Sequence, residues 1–304
     1  MQNKISIRVP ATSANCGPGF DSLGLACNLY NYFTYELLEA GLELNIIGEG
    51  AQTLYPSKDN LAFASFFRLW SQSGKNDTGL RVSMHNIIPL SRGLGSSSAA
   101  IVAGLLAAEF FLGGTSTKQD LLSIATEMEG HPDNVAPALF GGITISYVAE
   151  GKVSCLKFLP KKELRLIAVI PDMPLATSMA RAAIPASVPH EDAVFNASRT
   201  ALLVAALLTG ESEHLCAALE DRLHHPYRAP LIPGMQEAFA AARRNGAYNA
   251  VISGAGSTLM AYAAPTCDCV RIAAAMQSEL QAHGISSAYH LLALDLDGAS
   301  VMDA

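Results

Sequence analysis

Residues 89–100 read PLSRGLGSSSAA, and the fold turns on how this run is read. Gly93 and Gly95 carry no Cβ, so the backbone there can take positive φ and come close to a ligand. Ser96, Ser97 and Ser98 follow as three consecutive hydroxyls at the mouth of an apolar helix predicted over 99–112. The first N–H groups of a helix have no intrahelical partner and favour an anion. Together these features predict a phosphate cradle, with glycines for the turn, open amides for the charge, and serine oxygens for phosphate or a metal. The helix is apolar on nearly every side, which predicts a buried mount. Neither GxxxxGK[ST] nor GxGxxG occurs in the chain, so phosphate binding here would do without the P-loop lysine and the dinucleotide fingerprint.

Upstream of the cradle, Ile5, Ile7 and Val9 alternate as one face of a strand that ends at Pro10. A turn-rich segment over 11–24, ATSANCGPGFDSLG, leads to a second strand over 30–38. Asp59, Asn60 and Leu61 open a helical pattern running toward Trp70. Downstream, Ser116 and Gln119 form a capping-box pattern for a helix that ends near Glu129. The chain then turns at HPDN and enters a strand over 142–148.

The break at 160–163 divides the chain into expected domains at 1–160 and 161–304. The second half carries a strand over 164–171, helices over 193–208, 235–245 and 269–283, and strands around 250, 259 and 292–296. Strands interleaved with helices in this way predict an α+β sandwich.

The chain has 304 residues, of which half are hydrophobic and 15% charged, so a substantial core is available and extensive disorder is excluded. The net charge of −7, with no run of Lys or Arg, argues against a nucleic-acid partner. A small anionic substrate still fits, because it needs only a few local cations. The six cysteines include no CxxC pair, as expected for reduced cytoplasmic thiols. The opening MQNKISIRVP has no apolar signal core, and the long uncharged stretches 93–108 and 245–267 do not make a membrane span.

Five stretches in chain order carry a resemblance: VPATSANCGPGFDSLGLA (9–26), PLSRGLGSSSAA (89–100), EGHPDNVAPALFGG (129–142), HHPYRAPLIPG (224–234) and SGAGSTLMA (253–261). They resemble the small-molecule kinase superfamily of galactokinase, homoserine kinase, mevalonate kinase and phosphomevalonate kinase, and in detail the homoserine kinase family. The resemblance implies an N-terminal domain like domain 2 of ribosomal protein S5 and a C-terminal ferredoxin-like sandwich. It also implies ATP-dependent phosphorylation of the side-chain hydroxyl of L-homoserine, with Mg²⁺, in a cytoplasmic homodimer. The alternatives are a kinase of another small alcohol, such as mevalonate, and a catalytically silent ligand sensor of the same fold.

Site residues follow from the resemblance and from chemistry. Pro89, Leu90, Ser91, Arg92, Gly93, Leu94, Gly95, Ser96, Ser97, Ser98 and Ala99 would hold the nucleotide phosphates. Asn60 matches the family's adenine-side asparagine, or else caps a helix. Ser97 or Ser98 with Glu129 would bind Mg²⁺, a hard cation that takes oxygen ligands, with Glu127 as the alternative carboxylate. Homoserine carries an ammonium for Asp21 and a carboxylate for Arg181 and Arg228, whose planar guanidinium forks suit two oxygens. Thr177 lies four residues before Arg181 on one helix face. Asn15, His131 and Asn134 would line the hydroxyl end. Asp133 is the nearest candidate for a catalytic base, unless Asn134 takes that place and the proton leaves to solvent or phosphate. Gly254, Ala255, Gly256 and Ser257 form a second glycine-rich turn expected to close over the site. Cys16 and Cys27, in or near the first motif, suggest sensitivity to alkylation.

Overall fold

The computed structural model describes residues 3–74 and 78–302. In chain order it contains β1 (Lys4–Ala14), β2 (Leu23–Leu38), β3 (Leu42–Gly48), α1 (Leu61–Trp70), β4 (Gly79–Asn86), α2 (Ser96–Leu112), α3 (Lys118–Glu129), α4 (Pro132–Phe140), β5 (Ile143–Ala149), β6 (Lys152–Phe158) and β7 (Arg165–Pro171). Then come α5 (Thr177–Ala182), α6 (His190–Thr209), α7 (Leu215–Ala218), α8 (His225–Arg228), α9 (Met235–Arg244), β8 (Asn249–Ile252), β9 (Leu259–Ala263), α10 (Cys269–Ala282), β10 (Ser287–Leu292) and β11 (Ser300–Met302).

The first sheet runs β11-β1-β2-β4-β3, with β5 paired to the start of β2 and β6 paired to β5. The Ile5, Ile7 and Val9 face of β1 is buried, as its alternation predicts. The β1–β2 register shifts between Pro10 and Ala11, where the proline has no N–H to give to the ladder. Past that irregularity β2 begins at Leu23 rather than near Tyr30, so the strand is much longer than its apolar pattern suggested. Helix α2 is buried along most of its length, which makes it the rigid mount its composition implied.

The second sheet runs β10-β7-β9-β8, antiparallel throughout. In its own chain order this is a 4-1-3-2 arrangement with helices in the two crossovers, the ferredoxin-like topology. Ile167, Val169, Ile252 and Ala261 on one face pack with residues of α9 and α10. Leu166, Ala168, Met260 and Tyr262 on the other face join the core of the first sheet. The hydrophobic core is therefore continuous across the expected 160/161 boundary.

Three expectations need correction. The capping box of α3 is Thr117 with Asp120, one residue beyond the predicted Ser116 and Gln119. Ser116 instead donates its amide and hydroxyl to the buried carboxylate of Glu109. The last strand expected over 292–296 ends at Leu292, and the chain then crosses to the first sheet, where the amides of Asn28 and Asp295 exchange bonds with Ala293 and Ala26. Strand β11 pairs with β1, so the tail departs from a 161–304 unit. Among the described residues, α6 is the one helix long and apolar enough to cross a membrane by length and composition. It buries Asn196, Leu203, Ala206 and Leu207 against the protein.

Candidate active site

The cradle takes its shape from what its glycines lack. Gly95 stands at φ 71° as the N-cap of α2 and offers no side chain to the first turn, so the first amides of α2 are open to a ligand. A Cβ at Gly93 would lie 2.1 Å from the Ser253 carbonyl oxygen, and one at Gly95 would lie 2.0 Å from Thr12 Oγ1. These close approaches lock the cradle between β1 and the second glycine-rich turn.

The cradle opens into a cavity of about 410 Å³. Its wall brings together Asn15, Asp21, Asn60, Pro89, Leu90, Ser91, Arg92, Gly93, Leu94, Gly95, Ser96, Ser97, Glu129, His131, Asp133, Asn134, Thr177, Arg181, Arg228, Gly254 and Ala255. Four expected residues are absent from the wall. Ala99 is packed in the core, and Ser98 is fully buried. Gly256 packs on Ile232 and Ile252, and Ser257 is tied by its hydroxyl to the Met173 carbonyl.

At the mouth of α2, Glu129 Oε1 accepts from Ser97 Oγ at 2.7 Å and from Ser98 Oγ at 2.9 Å. Ser98 therefore reaches the site through Glu129. Glu127 points away into an exposed ion pair with Arg68, so of the two carboxylates Glu129 is the one at the cavity. The Asn60 side chain caps α1 by accepting from Ala62 N and donates to Tyr55, which commits its amide to local structure. Arg92 is likewise engaged, with the Pro171 and Leu90 carbonyls and with Asp172.

On the opposite wall, Arg181 meets Asp21 in a two-pronged pair at 2.7 and 3.0 Å, which raises the guanidinium pKa. Asp21 sits at positive φ, its amide held by Asn15 Oδ1. Asn15 Nδ2 donates to the Gly254 carbonyl, so the Asn15 amide builds the loop at both ends. Arg228 is almost wholly buried and donates from Nε to Ala180 O and from Nη1 to Gly254 O and His224 Nδ1. Burial, and then the like charge of Arg181, bring its pKa down to about 10, so it stays cationic at neutral pH. Among the described residues nothing partners its Nη2.

Between these walls, His131 Nδ1 bonds Asp133 Oδ1 at 2.7 Å. Burial works against the charged imidazole, but the Asp133 hydrogen bond and charge, helped by Glu129, outweigh it and raise its pKa. Asp133 is itself buried and committed to this pair. Asn134 Oδ1 accepts from Thr12 Oγ1 at 2.8 Å, which leaves the Asn134 Nδ2 donors for the cavity. Thr12 was missed by sequence reasoning; its place inside the PATSAN motif was the available signal. Cys16 and Cys27 are buried, and desolvation raises both thiols, Cys16 to about 12, so the expected alkylation sensitivity does not follow from their setting.

Residues 60–142 match the N-terminal domain of the GHMP kinases, and residues 203–282 match their C-terminal domain. A homoserine kinase of Desulfitobacterium hafniense is 41% identical over 98% of this chain and 100% of its own length. One of Streptomyces coelicolor is 44% identical over 98% of this chain and 94% of its own. The crystal structure of a homoserine kinase from Cytophaga hutchinsonii superimposes with a TM-score of 0.90 at 29% identity, covering 99% of this chain and 98% of that one.

Proposed function

The chain belongs to the homoserine kinases, a family of the GHMP kinases, and on that premise we propose that it transfers the terminal phosphoryl group of ATP to the side-chain hydroxyl of L-homoserine, giving O-phospho-L-homoserine for threonine synthesis. One observation carries this reading: a carboxylate and two guanidiniums, Asp21, Arg181 and Arg228, share a single cavity with the open helix mouth of α2. A zwitterionic amino alcohol needs that combination, whereas mevalonate has no ammonium and galactose has no carboxylate.

In this reading the amides at 95–97 and the Ser96 and Ser97 hydroxyls take the phosphates. The oxygen set of Glu129, Ser97 and Ser98 fits Mg²⁺, and the bound ion would neutralise charge on the transferring group. Asp21 takes the substrate ammonium, and Arg181 with Arg228 Nη2 takes its carboxylate. Asn134, oriented by Thr12, donates to the reacting hydroxyl, while Asp133 holds His131 at the same end. Phosphoryl transfer through a loose transition state depends mostly on positioning and charge, so an amide at this place suffices and the proton leaves with phosphate or solvent. The reading extends to a cytoplasmic homodimer without nucleic-acid or membrane partners, and sedimentation of the purified protein tests the dimer.

The deciding assay follows ADP release with L-homoserine, mevalonate and galactose in turn. Release that depends on L-homoserine is expected. Turnover of only the other two ends the proposal, and ATP binding without turnover of any makes the protein a sensor.

A further inference from the structure

Asp221, His224 and His225 place their ligand atoms within 4.8 Å of one another and have the composition of a metal triad. Their hydrogen bonds assign them otherwise. Asp221 accepts the amides of Leu223, His224 and His225 and the side chain of Asn196. His225 Nε2 accepts the Ile252 amide. The electron pairs that a cation would need on these atoms are already taken.

His224 is fully buried between two parts of the substrate wall. Its Nε2 lies 2.9 Å from the carbonyl of Gly17, in the loop that carries Asn15 and Asp21, and its Nδ1 lies 3.2 Å from Arg228 Nη1. A carbonyl only accepts and a guanidinium only donates, so the ring has one consistent form, neutral and protonated at Nε2. The ring also packs on Phe20 at 5.3 Å between centroids, and Phe20 in turn lies beneath the guanidiniums of Arg228 and Arg181.

We propose that His224 is a positioning residue for the homoserine carboxylate: Gly17 fixes its tautomer, and Nδ1 then holds the Arg228 fork at the register that turns Nη2 toward the cavity. The inference rests on the reading of Arg228 as a carboxylate contact. Burial lowers the His224 pKa, against the pull of the Asp221 carboxylate and with help from the like charge of Arg228, in accord with a neutral ring. The role is distinct from bulk packing because the two ring nitrogens do different jobs.

Two substitutions separate those jobs. His224→Asn places an amide oxygen near the position of Nδ1 and keeps the acceptor for Arg228. His224→Gln places an N–H near the position of Nε2 and keeps the donor to Gly17 while losing that acceptor. Steady-state kinetics should give His224→Gln a homoserine KM raised at least about tenfold with the ATP KM unchanged, and His224→Asn a homoserine KM within about threefold of the parent. Equal effects of the two, or an effect on the ATP KM alone, would overturn the proposal. Arg228→Lys separates the two levels of argument. If it leaves the homoserine KM unchanged, the reading of Arg228 falls; if it raises that KM while His224→Gln does not, only the role of His224 falls. Should His224→Gln fail to fold, nitrogen NMR of the unaltered protein at pH 7 still decides, since a His224 ring protonated at Nδ1 contradicts the arrangement.

Discussion

The phosphate cradle and the substrate wall face each other across one cavity, yet they are built by opposite means. The cradle is contiguous, residues 89–98, and acts through backbone amides whose approach depends on missing Cβ atoms. The substrate wall collects side chains from the β1–β2 loop, α4, α5 and α8, and acts through charges that each have a named partner. A backbone device has no spare volume but needs no charge of its own. A side-chain device accepts small changes of shape but fails when one charge or one acceptor is removed.

The strongest test of that contrast is Gly95→Val, which puts a Cβ 2.0 Å from Thr12 Oγ1 at a positive φ. Activity toward both substrates should fall by about three orders of magnitude or more, roughly 4 kcal/mol of transition-state stabilisation; kcat/KM within tenfold of the parent would break the claim that the cradle admits no added atom. Arg228→Ala should act on one substrate only. It removes charge-assisted contacts of about 1.5–3 kcal/mol, so the homoserine KM should rise roughly ten- to hundredfold while the ATP KM holds. A shared rise in both constants would mean that the two walls are not separable.

The acidic pair on α3 sharpens the comparison further. Glu129→Gln should raise the Mg²⁺ concentration for half-maximal rate about tenfold. Glu127→Gln removes only an exposed pair with Arg68 and should leave rate and stability nearly unchanged. A reversal of those two results would move the metal to the outer face of α3.

A slower readout of the same contrast is the pH dependence of stability. His225 is buried neutral, its pKa brought by desolvation from 6.5 to about 3. The unfolded chain therefore binds more protons than the folded one through that interval, and stability drops as pH falls below about 6.5, by at most about 1.4 kcal/mol per pH unit for this group. His131, whose pKa is raised, has the opposite sign: its contribution is present below pH 6.5 and is lost as pH climbs through its folded value. Denaturant titrations of His131→Gln beside the parent should diverge at pH 6 and converge at higher pH. A constant gap would detach His131 from Asp133.

The same contrast explains what could be read from the chain alone. The cradle was legible because its parts are adjacent and glycine, serine and helix pattern state one geometry. The members of the substrate wall were legible as residue types, but their pairing was not. Asp21 meeting Arg181, or Asn134 meeting Thr12, depends on how β1, α4 and α5 pack across more than a hundred residues. The choice between Glu127 and Glu129 is one of helix phase near a C-terminus, which spacing two apart leaves open until the helix is docked. Thr117 displaced Ser116 as the cap because Glu109 claimed the serine from another helix. Strand β11 has three residues and no periodic signal of its own, and only its partner β1 defines it.

That partnership sets the schedule of biogenesis. In the finished sheet β11 covers the outer side of β1, with Ser6 opposite Met302 and Arg8 opposite Ser300. During translation β1 keeps an unsealed flank until residues 300–302 clear the ribosome, and an open strand flank is a template for misassociation between nascent chains. Synthesis therefore leaves the β1 flank open across almost three hundred residues of chain, and a late pairing closes it.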